Sequence, residues 1–310
     1  MIYKKILLFL FMMNGLNIIQ AKHKESMRAT IVKERPIVVL VPSYNNKDWA
    51  AVNLASIFFQ CYTNYRVIYI DDCSTDGTGD IVEAYIKEHK LENKITIIKN
   101  KERLFAAANR YFAIHTCRDD EIIVNIDGDD WFSRDDVLSE INAAYSSDEV
   151  WLTYGNFINW PSSLLGYGQR YPKNIIDRRA FREHRWVIGQ PRTFYAGLFK
   201  FIKKEDLMYE GAFVRSGTDV AMMFPLLEMV GNHLKYLGNI SYIRNVATDL
   251  NIFKTFRDDQ KVSSQYYRNK NKYTTFLELP FEVNNNIITY SYKFSITHGS
   301  YRCWVAKVVE

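Results

Sequence analysis

Residues 121–131 have the sequence EIIVNIDGDDW. The β-branched apolar run 122–124 is typical of a buried strand, so three carboxylates follow a strand end directly. Such crowding raises carboxyl pKa values, and a divalent cation relieves the repulsion. Oxygen ligands favour a hard cation such as Mg²⁺ or Mn²⁺, which also binds substrate phosphates. We expect Gly128 to allow a tight turn between the acids. Taken alone, the triplet is more typical of a solvated acidic turn, and the rest of the chain is needed to favour a metal site.

Strand-like and helix-like segments alternate around this stretch. Strands are predicted at 36–41, 66–70, 95–98 and 150–154, and helices at 47–60, 78–89, 102–115 and from a capping box at 133–136 to 146. This order predicts an α/β fold with an open, mostly parallel central sheet and helices on both faces. Ligands of such sheets bind beyond the carboxyl ends of the strands. Residues 42–46, 71–72 and 127–130 all fall at that edge, which favours a ligand site there.

The pattern loosens after residue 155. We predict a loop at 159–168, a strand or short helix at 198–204, and a helix at 219–230 whose methionines face the core. Residues 266–271 are expected to form a flexible tether, and 287–296 a strand or hairpin.

The N-terminus and the composition restrict the class of protein. Lys4 and Lys5 precede an eight-residue apolar run, and Ala21 offers a small residue for cleavage, which predicts a secretory signal. An uncleaved membrane anchor and a cytosolic chain are the alternatives. The predicted location is therefore the secretory pathway, the periplasm or a membrane surface.

The net charge of +5, without a dense basic run, argues against a nucleic-acid binder. Four cysteines without metal-ligand spacing argue against zinc, and buried free thiols are preferred over disulfides.

Four segments together resemble the family 2 glycosyltransferases of the GT-A fold, a Rossmann-like architecture. They are VLVPSYN at 39–45, IDDCSTDGT at 70–78, residues 100–109, and DGDD at 127–130. The resemblance covers about residues 36–155. It implies a nucleotide-diphosphate sugar donor, with UDP favoured, a divalent metal, and sugar transfer with inversion. The acceptor would be a carbohydrate, a lipid-linked molecule or a protein.

The resemblance also implies an organisation of the chain. The predicted parts are a signal or anchor at 1–21, a linker at 22–35, a nucleotide-sugar-binding half at 36–155, an irregular acceptor-binding half of the same domain at 156–265, and a C-terminal extension at 266–310.

Roles for individual residues follow from the same resemblance. Asp72 would accept a hydrogen bond from the base, as from N3–H of uracil. Asp129 would hold the ribose or bridge to the metal, and Asp130 would coordinate Mg²⁺ or Mn²⁺. The remaining donor-site candidates are Pro42, Tyr44, Asn45, Asn109 and Asp127.

An inverting transfer needs one base to deprotonate the acceptor hydroxyl. The family has a carboxylate at a helix start beyond the metal site, which points to Asp219; a plain helix cap is the alternative role. Thr218 replaces the acid that usually precedes this base, and Asp206 and Glu205 are lesser candidates.

Three further departures from the family pattern bear on the donor and acceptor. Ala108 replaces an arginine, so Arg103 or Arg110 would compensate for it. Asn245 stands where the family often has a histidine. Residues 184–186, together with Arg192, are candidates for contacting the acceptor or the diphosphate.

Two other functions fit parts of the pattern. A non-catalytic sugar- or nucleotide-binding relative, secreted or surface-attached, would explain the signal-like N-terminus. A nucleotidyltransferase could use a similar sheet, but it needs a glycine-rich first loop, and residues 42–45 read PSYN instead.

Overall fold

The computed structural model describes residues 30–248, 264–284, 288–297 and 300–307, with side chains for 33–248 and 264–284. The predicted signal at 1–21 lies outside these residues. Within the described ranges, no helix is both long and apolar enough to cross a membrane.

Fourteen strands and seven α-helices make up these described ranges, apart from a short helical stretch at 264–268. The strands are β1 (Thr30–Glu34), β2 (Ile37–Ser43), β3 (Tyr65–Asp71), β4 (Ile95–Lys99), β5 (Ile122–Asn125), β6 (Trp131–Phe132), β7 (Leu152–Trp160), β8 (Leu164–Leu165), β9 (Gly189–Tyr195), β10 (Met208–Tyr209), β11 (Ala212–Phe213), β12 (Leu234–Asn245), β13 (Ile288–Thr297) and β14 (Ser300–Lys307). The helices are α1 (Ala50–Phe58), α2 (Thr78–His89), α3 (Phe105–His115), α4 (Val137–Tyr145), α5 (Lys173–Asp177), α6 (Ala196–Lys200) and α7 (Thr218–Val230), with a 3₁₀ turn at Lys204–Leu207.

Nine strands form the central sheet, in the order β4-β3-β2-β5-β9-β7-β12-β6, with β8 paired to β7. The first four strands of this order are parallel, as predicted. Beyond β5 the sheet becomes mixed, because β9 runs antiparallel to both β5 and β7. Parallel pairing returns once more, between β7 and β12, because α7 lies in the connection that leads to β12. Strand β6 then pairs antiparallel with β12 at the edge.

The core lies against β2 and β5, whose residues are all buried. This agrees with strands covered on both faces. Helix α7 is also buried along its whole length except at Asp219. Its methionines therefore belong to the core, which confirms the prediction for that helix.

Three local predictions were wrong. The capping box at 133–136 does not form: α4 begins at Val137 without a side-chain cap, and Arg134 pairs with Asp136 and Glu140 instead. Residues 30–34 of the predicted linker form β1, which pairs with β13.

The third error is the flexible tether at 266–271. Tyr267 is only 1% exposed, and Arg268 donates to the carbonyls of Arg182 and His184. The polar sequence hid this packing, because the buried partners lie more than 80 residues earlier in the chain. The tail prediction is confirmed, since β13 and β14 form an antiparallel hairpin.

Candidate active site

A cavity of about 1180 Å³ opens at the carboxyl ends of the parallel strands. Among its lining residues are Pro42, Tyr44, Asp72, Asn109, Asp127, Asp129, Asp130 and Asp219. The structure thus brings all but one of the predicted site residues together. The exception is Asn45, which does not line the cavity and instead accepts a hydrogen bond from the Thr75 backbone at 2.8 Å.

The acidic segment packs closely against the loop after β2. A Cβ on Gly128 would lie 2.4 Å from the Ser43 hydroxyl oxygen, so no larger residue fits without displacing that loop. Gly128 does not adopt a positive φ. The expected tight turn between the acids does form, since the Asp130 N–H donates to the Asp127 carbonyl at 3.0 Å. Close packing, rather than a left-handed backbone, is what requires a glycine at this position.

Asp72 is held by three hydrogen bonds from the next strand–helix connection. Its carboxylate accepts from the Asn100 side chain and from the backbone N–H groups of Leu104 and Phe105, each at 2.8 Å. The Asn100 amide also donates to Asn109 Oδ1 at 2.8 Å. A carboxylate accepts about four hydrogen bonds, so Asp72 keeps about one position for a ligand.

A ring and a guanidinium stack beside this carboxylate. The Arg103 guanidinium carbon lies 3.7 Å from the centre of the Tyr44 ring and 4.5 Å from that of Phe105. This row of flat groups forms the wall of the cavity next to Asp72. Flat groups of this kind suit a nucleobase, because every base has a π-face.

The three acids of the central segment have different surroundings. Asp130 is buried and accepts from the Tyr242 hydroxyl at 2.6 Å and from the Asn245 backbone at 2.7 Å. Asp127 pairs with Arg110 at 2.7 Å. Asp129 has no hydrogen bond or ion pair with another residue in the described part of the chain.

Burial and mutual repulsion raise the pKa of two of these acids. Burial and the charge of Asp127 raise the pKa of Asp129 to about 7. The pKa of Asp130 is raised well above its usual value, mainly by burial and then by the charges of Asp129 and Asp127. Carboxylates in this state gain most from a nearby cation.

The residues fit a divalent cation that a substrate helps to hold. The described ranges contain no cluster of three or more His, Cys, Asp or Glu side chains arranged as a metal site. Mg²⁺ sites, however, commonly use only one or two carboxylates together with substrate phosphates. Asp129 and Asp130 supply such a pair, and their raised pKa values show that burial and mutual repulsion disfavour the charged forms, which a bound cation would favour.

Asp219 faces the same cavity from the first turn of α7. It makes no side-chain cap, so the alternative role as a helix cap was wrong. Its carboxylate pairs with the buried Arg192 guanidinium at 2.5 Å. Burial opposes ionisation, but Arg192, then Arg110 and Arg244, hold the pKa of Asp219 below its usual range. Asp219 is therefore ionised at neutral pH.

The other base candidates lie elsewhere. Asp206 accepts from Lys270 at 2.7 Å and from the Tyr273 hydroxyl at 2.6 Å, outside the cavity. Glu205 and His184 do not line the cavity either. Of the candidates for the acceptor side, Trp186 and Arg192 do line it.

Sequence reasoning missed Tyr242 as a site residue. Its hydroxyl accepts from the Asp127 backbone N–H at 3.1 Å and donates to Asp130. It reaches the acids because β12 pairs antiparallel with β6, immediately after the acidic segment. No local pattern around a lone tyrosine signals such a role.

Similarity to known proteins agrees with this fold and site. TarS from S. aureus superimposes with a TM-score of 0.51 at 17% identity, over 68% of this chain and 60% of that one. A mannosyltransferase from Pyrobaculum calidifontis, in complex with GDP-Man and Mn²⁺, gives a TM-score of 0.50 at 18% identity, over 86% of this chain and 73% of that one. At these identities the likeness shows the fold, which is the GT-A fold.

Sequence comparison then identifies the family. The putative teichuronic acid biosynthesis glycosyltransferase TuaG of Bacillus subtilis is 31% identical over 108 residues, which are 34% of this chain and 41% of that protein. The Escherichia coli glucosyltransferase WfaP, which uses UDP-Glc and GlcNAc-diphosphoundecaprenol, is 29% identical over 39% of this chain and 45% of that one. The chain thus spans less than half the length of these relatives. Residues 38–211 match the glycosyl transferase family 2 profile, and the chain belongs to that family.

Proposed function

We propose that this protein transfers a sugar from a nucleotide-diphosphate sugar, UDP being the favoured nucleotide, to an acceptor hydroxyl with inversion, and that transfer requires Mn²⁺ or Mg²⁺. One observation carries the proposal: the acids at 127–130 and Asp219, about ninety residues later, face one cavity. A site with a cation-binding edge and a separate ionised carboxylate has the two parts that such a displacement needs.

The donor nucleotide is assigned to the side of Tyr44 and Asp72. Asp72 has about one acceptor position left, which suits the single N3–H donor of uracil better than the two adjacent donors of guanine. Tyr44 and Arg103 supply the stacking surface. These contacts support UDP over GDP as the donor nucleotide.

The diphosphate is assigned to the acidic edge. Asp129 and Asp130 would hold the cation, which when bound stabilises the charge on the leaving diphosphate as a Lewis acid. Tyr242 and the Asn245 backbone hold Asp130 in place. Arg110 adds positive charge beside Asp127.

Asp219 is assigned as the base that removes the proton from the acceptor hydroxyl. The hydroxyl oxygen then bonds to the anomeric carbon as the bond to the diphosphate oxygen breaks. A single displacement of this kind inverts the configuration at that carbon. Arg192 keeps Asp219 ionised before the reaction and limits its rotation.

The proposed location follows the N-terminal pattern. Lys4, Lys5 and the apolar run after them support an exported or membrane-associated enzyme. Fractionating cells that express the full chain, beside a form lacking residues 1–21, tests this. Equal amounts of both forms in the soluble cytosolic fraction would contradict the proposed location.

Calorimetric titration of UDP with and without Mn²⁺ tests the donor site. We expect Mn²⁺-dependent binding that is lost in Asp129→Asn and Asp130→Asn. It should persist in Asp177→Asn, whose carboxylate forms a surface pair with Lys173 outside the cavity. Binding followed by transfer from a UDP-sugar supports the proposal. Sugar or nucleotide binding that survives both variants without turnover would favour a non-catalytic relative, and GDP binding in place of UDP would overturn the nucleotide assignment.

A further inference from the structure

The cations that line the cavity are all arginines. They are Arg103, Arg110, Arg192, Arg215, Arg244 and Arg268, and no lysine or histidine of the described residues joins them. Arginine presents a planar fork of donors that matches phosphate and carboxylate groups, whereas lysine acts as a point charge. The lining is therefore built to recognise anionic groups of defined geometry.

Two of these arginines already have carboxylate partners. Arg110 pairs with Asp127 and Arg192 with Asp219. At the mouth of the cavity, Arg103 and Arg215 are both exposed, and within the described ranges neither has a hydrogen bond or an ion pair to an acid. The Asp72 carboxylate lies beside this end of the cavity, but it accepts its hydrogen bonds from Asn100, Leu104 and Phe105 rather than from either guanidinium group.

Both of these guanidinium groups lie over one aromatic ring. Their Cζ atoms are 4.5 Å (Arg103) and 5.2 Å (Arg215) from the centre of the Phe105 ring. The two Cζ atoms are therefore at most about 9.7 Å apart, the sum of these distances. Two exposed positive charges within this limit repel each other weakly, and an anion bound near both is attracted to each.

The ring that supports them is held firmly. Phe105 has a φ of 65°, which is unfavourable for a bulky residue. Its N–H donates to the Asp72 carboxylate at 2.8 Å, which maintains this conformation. Strained residues that the surrounding structure holds in place are concentrated at functional sites. Phe105 thus provides a fixed platform between the donor side of the cavity and residues 215–219.

We propose that Arg103 and Arg215, supported by Phe105, bind a phosphate or carboxylate group that a substrate carries in addition to the donor diphosphate. The inference rests on the proposed function, because it takes the diphosphate and its divalent cation to balance each other at residues 127–130. The additional anion then belongs either to the transferred sugar, as in a uronic acid, or to the acceptor. Arg215, four residues before Asp219, places the site within reach of both.

The test uses the full chain, with Mn²⁺ present, and inorganic phosphate as the probe. Phosphate is titrated calorimetrically into the free protein and into the UDP-bound protein. The variants are Arg215→Gln, Arg103→Gln and their combination. Arg178→Gln, an exposed arginine outside the cavity, is the matched control. We expect the phosphate affinity to fall about tenfold or more in Arg215→Gln, the loss of a charge-assisted contact, and to be unchanged in the control.

A second titration separates the two sources. If UDP-glucuronate binds the wild type about tenfold tighter than UDP-glucose, and Arg215→Gln removes this preference, the anion belongs to the sugar. If the two donors bind with equal affinity, and phosphate still binds to the protein that holds UDP-glucose, the additional anion belongs to the acceptor.

The inference and the proposed function can fail separately. The proposed anion site would be refuted, and the proposed function would not, by one combination of results. In that case the wild type binds UDP, and phosphate binds wild type, Arg215→Gln and the double variant with equal affinity. Absent UDP binding would refute the proposed function, and phosphate titration of the free protein would still decide whether the arginine pair binds anions.

Discussion

Tyr242 donates a 2.6 Å hydrogen bond to Asp130, which precedes it by 112 residues in the chain. The same hydroxyl accepts from the Asp127 backbone N–H, so one side chain connects both ends of the acidic segment. This contact fixes the orientation of the Asp130 carboxylate before any ligand binds. Tyr242 is therefore a positioning residue for the proposed cation site.

Tyr242→Phe tests this role. The change leaves a buried carboxylate oxygen and a backbone N–H without their partner, which costs about 1–3 kcal/mol in unfolding free energy. We expect Mn²⁺-dependent UDP affinity to fall about tenfold, by calorimetry. Tyr236→Phe is the control, since Tyr236 lies on the same strand and donates to the Gly168 carbonyl. Equal Mn²⁺-dependent affinity in wild type and Tyr242→Phe would contradict the positioning role.

Asp219→Asn tests the base. The amide fills the same space but cannot accept the proton, so we expect the rate of sugar transfer to fall by about 10²–10⁴. UDP binding should stay within about threefold, because the proposed nucleotide contacts are Tyr44, Asp72 and Arg103 and do not include Asp219. Asp206→Asn serves as the control, as its carboxylate lies outside the cavity. Loss of transfer in Asp206→Asn, with Asp219→Asn active, would reverse the assignment.

The pH dependence of the transfer rate tests the effect of Arg192 on the pKa of Asp219. The folded-state pKa of Asp219 lies below its usual 3.8, so the base form persists down to that range and is lost only as pH falls through it. At saturating Mn²⁺ we expect no loss of kcat/KM from this group between about pH 8 and pH 5. Arg192→Gln removes the positive charge that stabilises ionised Asp219 and so raises the pKa of Asp219. The pH below which kcat/KM falls should therefore rise into this interval. An unchanged profile in a folded Arg192→Gln protein would show that the pair does not set the pKa of the base.

A buried ion pair contacts the segment 264–284. Arg182 donates to the Tyr267 carbonyl, and Glu228 accepts from the Tyr273 backbone N–H at 2.9 Å. Arg182 and Glu228 form two hydrogen bonds, at 2.5 and 2.8 Å, and both side chains are almost fully buried. Glu228→Ala leaves the Arg182 charge without its partner, which we expect to lower the unfolding free energy by about 3–5 kcal/mol in urea titrations.

The matched control is Glu183→Ala, which removes an exposed pair with Lys272. That change should alter the unfolding free energy by less than about 1 kcal/mol. If the two variants have similar stability, the buried pair does not hold this segment to the rest of the protein.

Much of the proposed donor side could be predicted from local sequence. The ends of β2, β3 and β5 carry the functional segments at 42–46, 71–72 and 127–130, and their neighbouring positions follow from parallel pairing. Asn45 shows the limit of that reasoning. It lies in the predicted segment after β2, but its side chain accepts a hydrogen bond from the Thr75 backbone and does not line the cavity.

The proposed acceptor side was much harder to predict. Residues 156–215 lack the strand–helix alternation, and β9 enters the sheet antiparallel between β5 and β7. That placement buries Arg192 and directs it toward Asp219. The segment at 266–271 was predicted to be a flexible tether, because its sequence is polar and the residues that it contacts lie far away in the chain.

The sequence alone determined the parallel half of the sheet and the chemistry at its edge, because strand periodicity and strand-end acids are properties of neighbouring residues. Only the tertiary structure decided which partners those acids have: Tyr242 for Asp130, Arg110 for Asp127, and Arg192 for Asp219. Such pairs depend on strand order and register, which arise from packing the whole chain.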